Sequence, residues 1–187
     1  MACWSARCFE QIRYSCAIAE NPITILGNGV GLGYSPAGPA HNPTEDLAYM
    51  RSLCGIEIYS PCNSKTAEKL ADLTCDDPKL RYIRLERTYA HEVENVLCDL
   101  KSGAHNMPFY DLRMTLFKKP SICIVTSGYM LGRALRVAEM LQHATVTVVD
   151  LFKIKPINTT VFEKLTEDFD CNFRGTDTFW RLWFGGM

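Results

Sequence analysis

Gly27-Asn-Gly-Val-Gly-Leu-Gly-Tyr-Ser-Pro-Ala-Gly-Pro-Ala-His41 follows directly on the β-branched run Ile23-Thr-Ile-Leu26. A short apolar segment running into a glycine-rich stretch reads as a buried strand that feeds a functional loop. The alternating glycines invite a dinucleotide reading, because glycine lets backbone amides approach a pyrophosphate at a helix start. The spacing refuses it: G-x-G-x-x-G begun at Gly27, Gly29 or Gly31 needs glycine at Leu32, Tyr34 or Pro36. Gly33-Tyr-Ser35-Pro-Ala-Gly38 misses the nucleophile elbow G-x-S-x-G by one residue, and Pro36 and Pro39 oppose its strand-turn-helix geometry. Taken by itself, the stretch is a flexible or tightly turned loop.

Outward from this loop the chain alternates. Before it, Phe9, Ile12, Cys16 and Ala17 recur at helical spacing over residues 6–19, and Asn21-Pro22 ends the run. After it, Thr44-Glu-Asp supplies a cap and first-turn acids for a helix through Leu53. Strands are expected at Ile56–Tyr59 and Leu80–Leu85, with a helix at Ser64–Leu73 between them. Beyond Pro120 the alternation resumes: strand at Ile122–Val125, helix at Tyr129–Gln142, strand at Ala144–Val149, and Lys155-Pro156-Ile157 leading into a further helix. Repeated βαβ units imply parallel sheets. The fold class is therefore α/β, as two Rossmann-like three-layer units with mainly parallel sheets. The expected division is 1–90, a linker over 91–119, a second unit over 120–168, and a divergent tail over 169–187.

Composition limits the function classes. Lys plus Arg number 20 against 21 Asp plus Glu, a formal charge of -1, so no basic excess points to nucleic acid or an anionic membrane. Nine scattered cysteines lack a C-x-x-C pair, which fits a reducing cytoplasm and gives no metal-binding or redox motif. No apolar run approaches the roughly 20 residues that span a bilayer. Small polar ligands remain the favoured partners.

Several motifs then stand in one order: Gly31-Leu-Gly33, Gly38-Pro-Ala-His41-Asn-Pro, Glu45-Asp-Leu-Ala-Tyr-Met-Arg51-Ser-Leu, Tyr59-Ser-Pro61 and Tyr82-Ile-Arg-Leu-Glu-Arg87. Together they resemble the pyrimidine-binding domain of the transketolase family, deoxyxylulose-phosphate synthases included. Val125-Thr-Ser-Gly128 through Val149-Asp-Leu-Phe-Lys-Ile-Lys155-Pro-Ile resembles the same family's carboxy-terminal domain.

The resemblance implies thiamine diphosphate as cofactor, shared with a partner subunit that also holds Mg2+. It implies ketol transfer between sugar phosphates. His41 matches the histidine of the family's G-P-T-H, a catalytic and substrate-binding residue suited to hydrogen bonding or proton transfer near neutral pH. Trp4 falls where the family sets an aromatic against the aminopyrimidine. Arg7 sits where deoxyxylulose-phosphate synthases carry an arginine, so both are cofactor-binding candidates. Arg87 matches the family's sugar-phosphate arginine, with Arg84 as the alternative. The spacing of Asp46 and Arg51 allows a same-face pair or contacts back to the loop, a structural role rather than a chemical one.

The chain also departs from the family. Gly27 stands where transketolases often have histidine, and Tyr34-Ser-Pro-Ala37 lacks the usual acid before G-P-T-H. The cofactor-activating glutamate and the diphosphate domain are not in the sequence, which is expected to be truncated at both ends. Its partners are then a diphosphate-binding subunit, a second copy of the chain, or both, and alone it is expected to be inactive. From Asp170 onward the residues match nothing in the family, yet permitted codons read one base later spell I-A-I-F-E-E-Q-T-L-F-G-G-F-G-S, the family's expected motif; an out-of-frame tail is the expectation. A deoxyxylulose-phosphate synthase fragment and a non-catalytic pairing remnant are the rival readings.

Overall fold

In the computed structural model, the described residues are 4–33, 35–86, 109–111, 122–141, 146–157 and 171–174. The amino-terminal helix is built in pieces: α1 (Trp4–Arg7), α2 (Phe9–Ile12) and a π-helical stretch, Arg13–Ile18. Its apolar stripe is the one the periodicity indicates, for Ile12 and Cys16 are buried in the first core and Phe9 and Ala17 pack against it. Strand β1 (Thr24–Asn28) leads into the loop, followed by α3 (Asp46–Ser52), β2 (Glu57–Tyr59), α4 (Ser64–Asp76) and β3 (Arg81–Leu85). The Asn63 side chain accepts a hydrogen bond from the Thr66 amide at 2.8 Å and so starts α4. The cap expected from Thr44 is not used: Glu45 occupies the N-cap without a side-chain hydrogen bond.

Further along the chain come β4 (Phe109–Asp111), β5 (Ile122–Thr126), α5 (Met130–Met140), β6 (Val146–Asp150), β7 (Lys153–Lys155) and β8 (Cys171–Arg174). The first sheet has the order β1-β3-β2-β7, with β1, β3 and β2 parallel. One face packs Ile25, Ile58 and Tyr82 against Ile12, Leu47 and Met50; the other packs Tyr59 and Ile83 against Leu70 of α4. That is the three-layer arrangement. The second sheet has the order β4-β6-β5-β8, and α5 covers it with Leu131, Ala134 and Ala138.

Three short strands lie where the sequence pattern announced none. The linker drawn over 91–119 contributes β4, which pairs antiparallel with β6. The tail drawn over 169–187 contributes β8, parallel to β5; the rest of both stretches, and the helix expected after Ile157, lie outside the described residues. Third, β7 belongs by chain order to the second unit yet pairs antiparallel with β2 of the first sheet. A three-residue strand carries no periodicity long enough to announce itself. It settles there because alternate residues meet different needs: Ile154 enters the first core while Lys153 reaches Glu57 at 3.2 Å.

The two units are thus interleaved. Phe152, fully buried, packs into the core formed by Tyr59, Leu70 and Ile83, and Cys62 from the first unit enters the core of the second. Burying one phenylalanine contributes about 1.5–3 kcal/mol. The Ser60 amide donates to the Phe152 carbonyl at 2.7 Å across the same seam. Gly128, at φ 57°, comes so close that a β-carbon there lies 2.7 Å from Ser60 Oγ.

Asp150 lies beside this seam, fully buried, with neither carboxylate oxygen hydrogen-bonded among the described residues; Thr126 Oγ1, across the β5–β6 ladder, is likewise without a partner. Burial pushes the Asp150 carboxyl from 3.8 up to about 7. The Cys62 thiol and the Gly128 amide favour the charged form but do not reach it with hydrogen-bond geometry, so burial wins. The folded-state value is raised, so the unfolded chain releases its proton first, and stability present in acid is lost as pH rises from 3.8 towards about 7. Urea unfolding across roughly pH 4–7 should show Asp150→Asn with a flatter pH dependence than the parent. Parallel curves for the two proteins would refute this assignment.

Candidate active-site loop

Between β1 and α3 the chain makes two 3-10 turns, Ser35–Ala37 and Pro39–His41. Gly29, Gly31 and Gly38 have φ values of 74°, 60° and 82°, the left-handed region that side chains disfavour. The alternating glycines therefore serve to turn the backbone. The loop is pinned by the Gly29 amide on the Leu85 carbonyl at 2.9 Å and by the Gly31 amide on the Pro43 carbonyl at 3.1 Å. Val30, 1% exposed, plugs it into the core. It lies at the carboxyl ends of parallel strands, where open α/β sheets place their ligands.

His41 sits half-buried at the end of the second turn, its amide bonded to the Gly38 carbonyl at 3.0 Å and its Nδ1 3.1 Å from the Ala37 carbonyl oxygen. A proton on Nδ1 donates to that oxygen, which leaves Nε2 as the basic nitrogen of the ring.

Beneath the loop lies a buried charge cluster. Asp46, the first residue of α3, is 0% exposed. Arg84 donates to it twice, Nε to Oδ2 at 2.7 Å and Nη2 to Oδ1 at 3.1 Å, and Tyr82 Oη donates to Oδ2 at 2.8 Å. Burial opposes the Arg84 charge, but the Asp46 carboxylate and its hydrogen bonds outweigh it and raise the guanidinium above its usual value. Burial first, then the Asp46 charge, pushes the Tyr82 phenol up and keeps it a neutral donor.

This cluster corrects one expectation. Arg84, the alternative sugar-phosphate ligand, is 7% exposed and bound in bidentate fashion to Asp46, so it supports the fold instead of presenting a fork to substrate. Asp46 has the structural role expected of it, but towards β3. Arg7 ends α1 with its side chain exposed. Trp4 opens α1, with its side chain outside the described residues, as is the whole of Arg87. Tyr82 is the supporting residue that sequence reading missed, although positions 82 and 84 share one face of a strand.

Tyr82 also accounts for Gly27. The two lie on adjacent strands, and a β-carbon on Gly27 falls 2.7 Å from Tyr82 Cζ and 2.8 Å from Cε2, nearer still to the hydroxyl. The phenol needs that space to reach Asp46, so a histidine at position 27 is sterically excluded here. Gly27→Ala should destabilise the protein by about 1–3 kcal/mol, the usual cost of overpacking, and by much less in a Tyr82→Leu background. Equal penalties in the two backgrounds, measured by chemical denaturation, would remove the steric explanation.

Comparison with known proteins places this geometry. Residues 2–91 match the transketolase pyrimidine binding domain and residues 114–170 the transketolase C-terminal domain, the second match ending where the divergent tail begins. One of the subunits of an apulose-4-phosphate transketolase, from Phocaeicola vulgatus, is 29% identical over 166 residues, which cover 87% of this chain and 51% of that protein. Human transketolase is 28% identical over 159 residues, 84% of this chain and 24% of the relative. Among solved structures, a split gene transketolase described as an inactive beta4 tetramer superposes with a TM-score of 0.76 at 24% identity, covering 94% of this chain and 55% of that one. The chain thus spans about half of the one curated relative and a quarter of the other. Its two matched domains, in this order and on this fold, make it a member of the transketolase family.

Proposed function

We propose that the chain is the carboxy-terminal subunit or section of a thiamine-diphosphate-dependent ketol transferase acting on sugar phosphates, and that it works only with a separate diphosphate-binding partner. The observation that carries this reading is the pinned loop ending in His41, at the carboxyl ends of parallel strands, in a family member that aligns with half of one subunit from a multi-subunit transketolase.

The residues present suit the aminopyrimidine half of the cofactor better than its diphosphate half. Trp4 and Arg7 on α1 are an aromatic and a cation of the kind that face such a ring. The buried carboxylate beneath the loop, Asp46, is held by Arg84 and so is a poor candidate for a diphosphate-bound Mg2+. The partner would hold the ion. Bound between the two proteins, thiamine diphosphate supplies the carbanion chemistry. His41 would bind a substrate hydroxyl and move a proton through Nε2, while the Ala37 carbonyl fixes its ring. Arg87 would meet the sugar phosphate. Exposed apolar side chains at Ile18, Ile23, Leu26 and Leu32 offer a partner surface to bury. No described helix is long and apolar enough to cross a membrane, and a cytoplasmic setting fits the free cysteines among the described residues.

The test is reconstitution. The purified chain, thiamine diphosphate and Mg2+ should give no ketol transfer alone, and should give it once a diphosphate-domain protein is added. His41→Ala in the mixture should then lower the rate by about a hundredfold or more. Silence of the parent mixture would favour a non-catalytic pairing role.

A further inference from the structure

Lys155 comes from the second unit and ends on the helix that carries the loop of the first. Its Nζ donates to the Arg51 carbonyl at 2.8 Å and to the Leu53 carbonyl at 2.5 Å. These belong to the last turn and C-cap of α3, where backbone carbonyls lack helical partners and a cation is favoured. The lysine is delivered there by the antiparallel pairing of β7 with β2, in which Lys155 lies opposite Ile58.

The consequence follows from the length of α3. Seven residues are too few for a helix to hold itself in water, so its position comes from tertiary contacts. Leu47 and Met50 bury its inner side. At its start Asp46 is clamped by Arg84 and Tyr82; at its end Lys155 binds the carbonyls of Arg51 and Leu53. Three residues before Asp46, the Pro43 carbonyl accepts the Gly31 amide and ties the helix to the middle of the loop. Wherever α3 moves, Pro43, Gly31 and the His41 turn between them must follow.

We infer that Lys155 is a positioning residue for the His41 loop: the second α/β unit, by capping α3 from β7, sets the geometry of the loop in the first. This assigns that unit a function beyond architecture, and it holds whether or not the chain performs ketol transfer.

Amide hydrogen exchange on the purified chain, read by peptide, tests this without any substrate. Lys155→Met should speed exchange across 29–45 by about fivefold or more, while Lys155→Arg, which keeps donors and charge, should stay within about twofold of the parent. Lys153→Met is the control: it removes another β7 cation, one paired with Glu57 rather than α3, and should speed 29–45 by clearly less than Lys155→Met does. In chain labelled with 13C-histidine, the His41 ring signal should shift in Lys155→Met and return in Lys155→Arg. The inference fails if Lys155→Met leaves 29–45 unchanged, if it speeds 81–85 by the same factor, as a general loss of stability would, or if arginine does not rescue. Should Lys155→Met not fold, Lys155→Gln takes its place with the same readings.

Discussion

The Asp46–Arg84 ion pair is the constraint on which the site depends. Both groups lie inside the protein, where an unpaired charge is prohibitively costly, so either one fixes the position of the other. Because Arg84 is held in the parallel ladder opposite Gly27, and Asp46 opens α3, the pair sets the distance between sheet and helix. Everything from Gly29 to Glu45 spans that fixed gap. Tyr82 adds a neutral donor to the same carboxylate, and Gly27 exists in the form it does because the phenol fills the space above it.

This arrangement gives physical content to the departures from the family's pattern. A glycine at position 27 is one side of a steric exchange with Tyr82, and the polar reader that a histidine would supply there is replaced by a buried, structural phenol. His41 stands at this end of the sheet, held by the Ala37 carbonyl and by the turn from Gly38. The interleaving of the two units extends the same logic. Phe152, Ile154 and Lys155 enter the first unit while Cys62 enters the second, so the helix and loop at the site answer to both cores.

Much of this was legible in the sequence. The β-branched run before Gly27, the helical stripe of Phe9, Ile12, Cys16 and Ala17, and the β-branched run expected as a strand at Ala144–Val149, found at Val146–Asp150, are long enough to read. The motifs around His41 identified the family because several had to occur in order. What stayed hidden depends on contacts between residues remote in sequence. Nothing local says that Arg84 seeks Asp46 instead of a phosphate, since an arginine at a strand end looks the same in either role. Strands of three residues, such as β4 and β7, are too short for a pattern, and their pairing is decided by the partner strand.

The most direct measurement is a double-mutant cycle on Asp46 and Arg84, using Asp46→Leu and Arg84→Met with stability read by chemical denaturation. Each single variant strands a buried charge and should cost about 3–5 kcal/mol, while the double variant, apolar on both sides, should cost no more than either alone. That result establishes the pair as the anchor between sheet and helix. Penalties that add to within about 0.5 kcal/mol would show two independent residues and contradict the account.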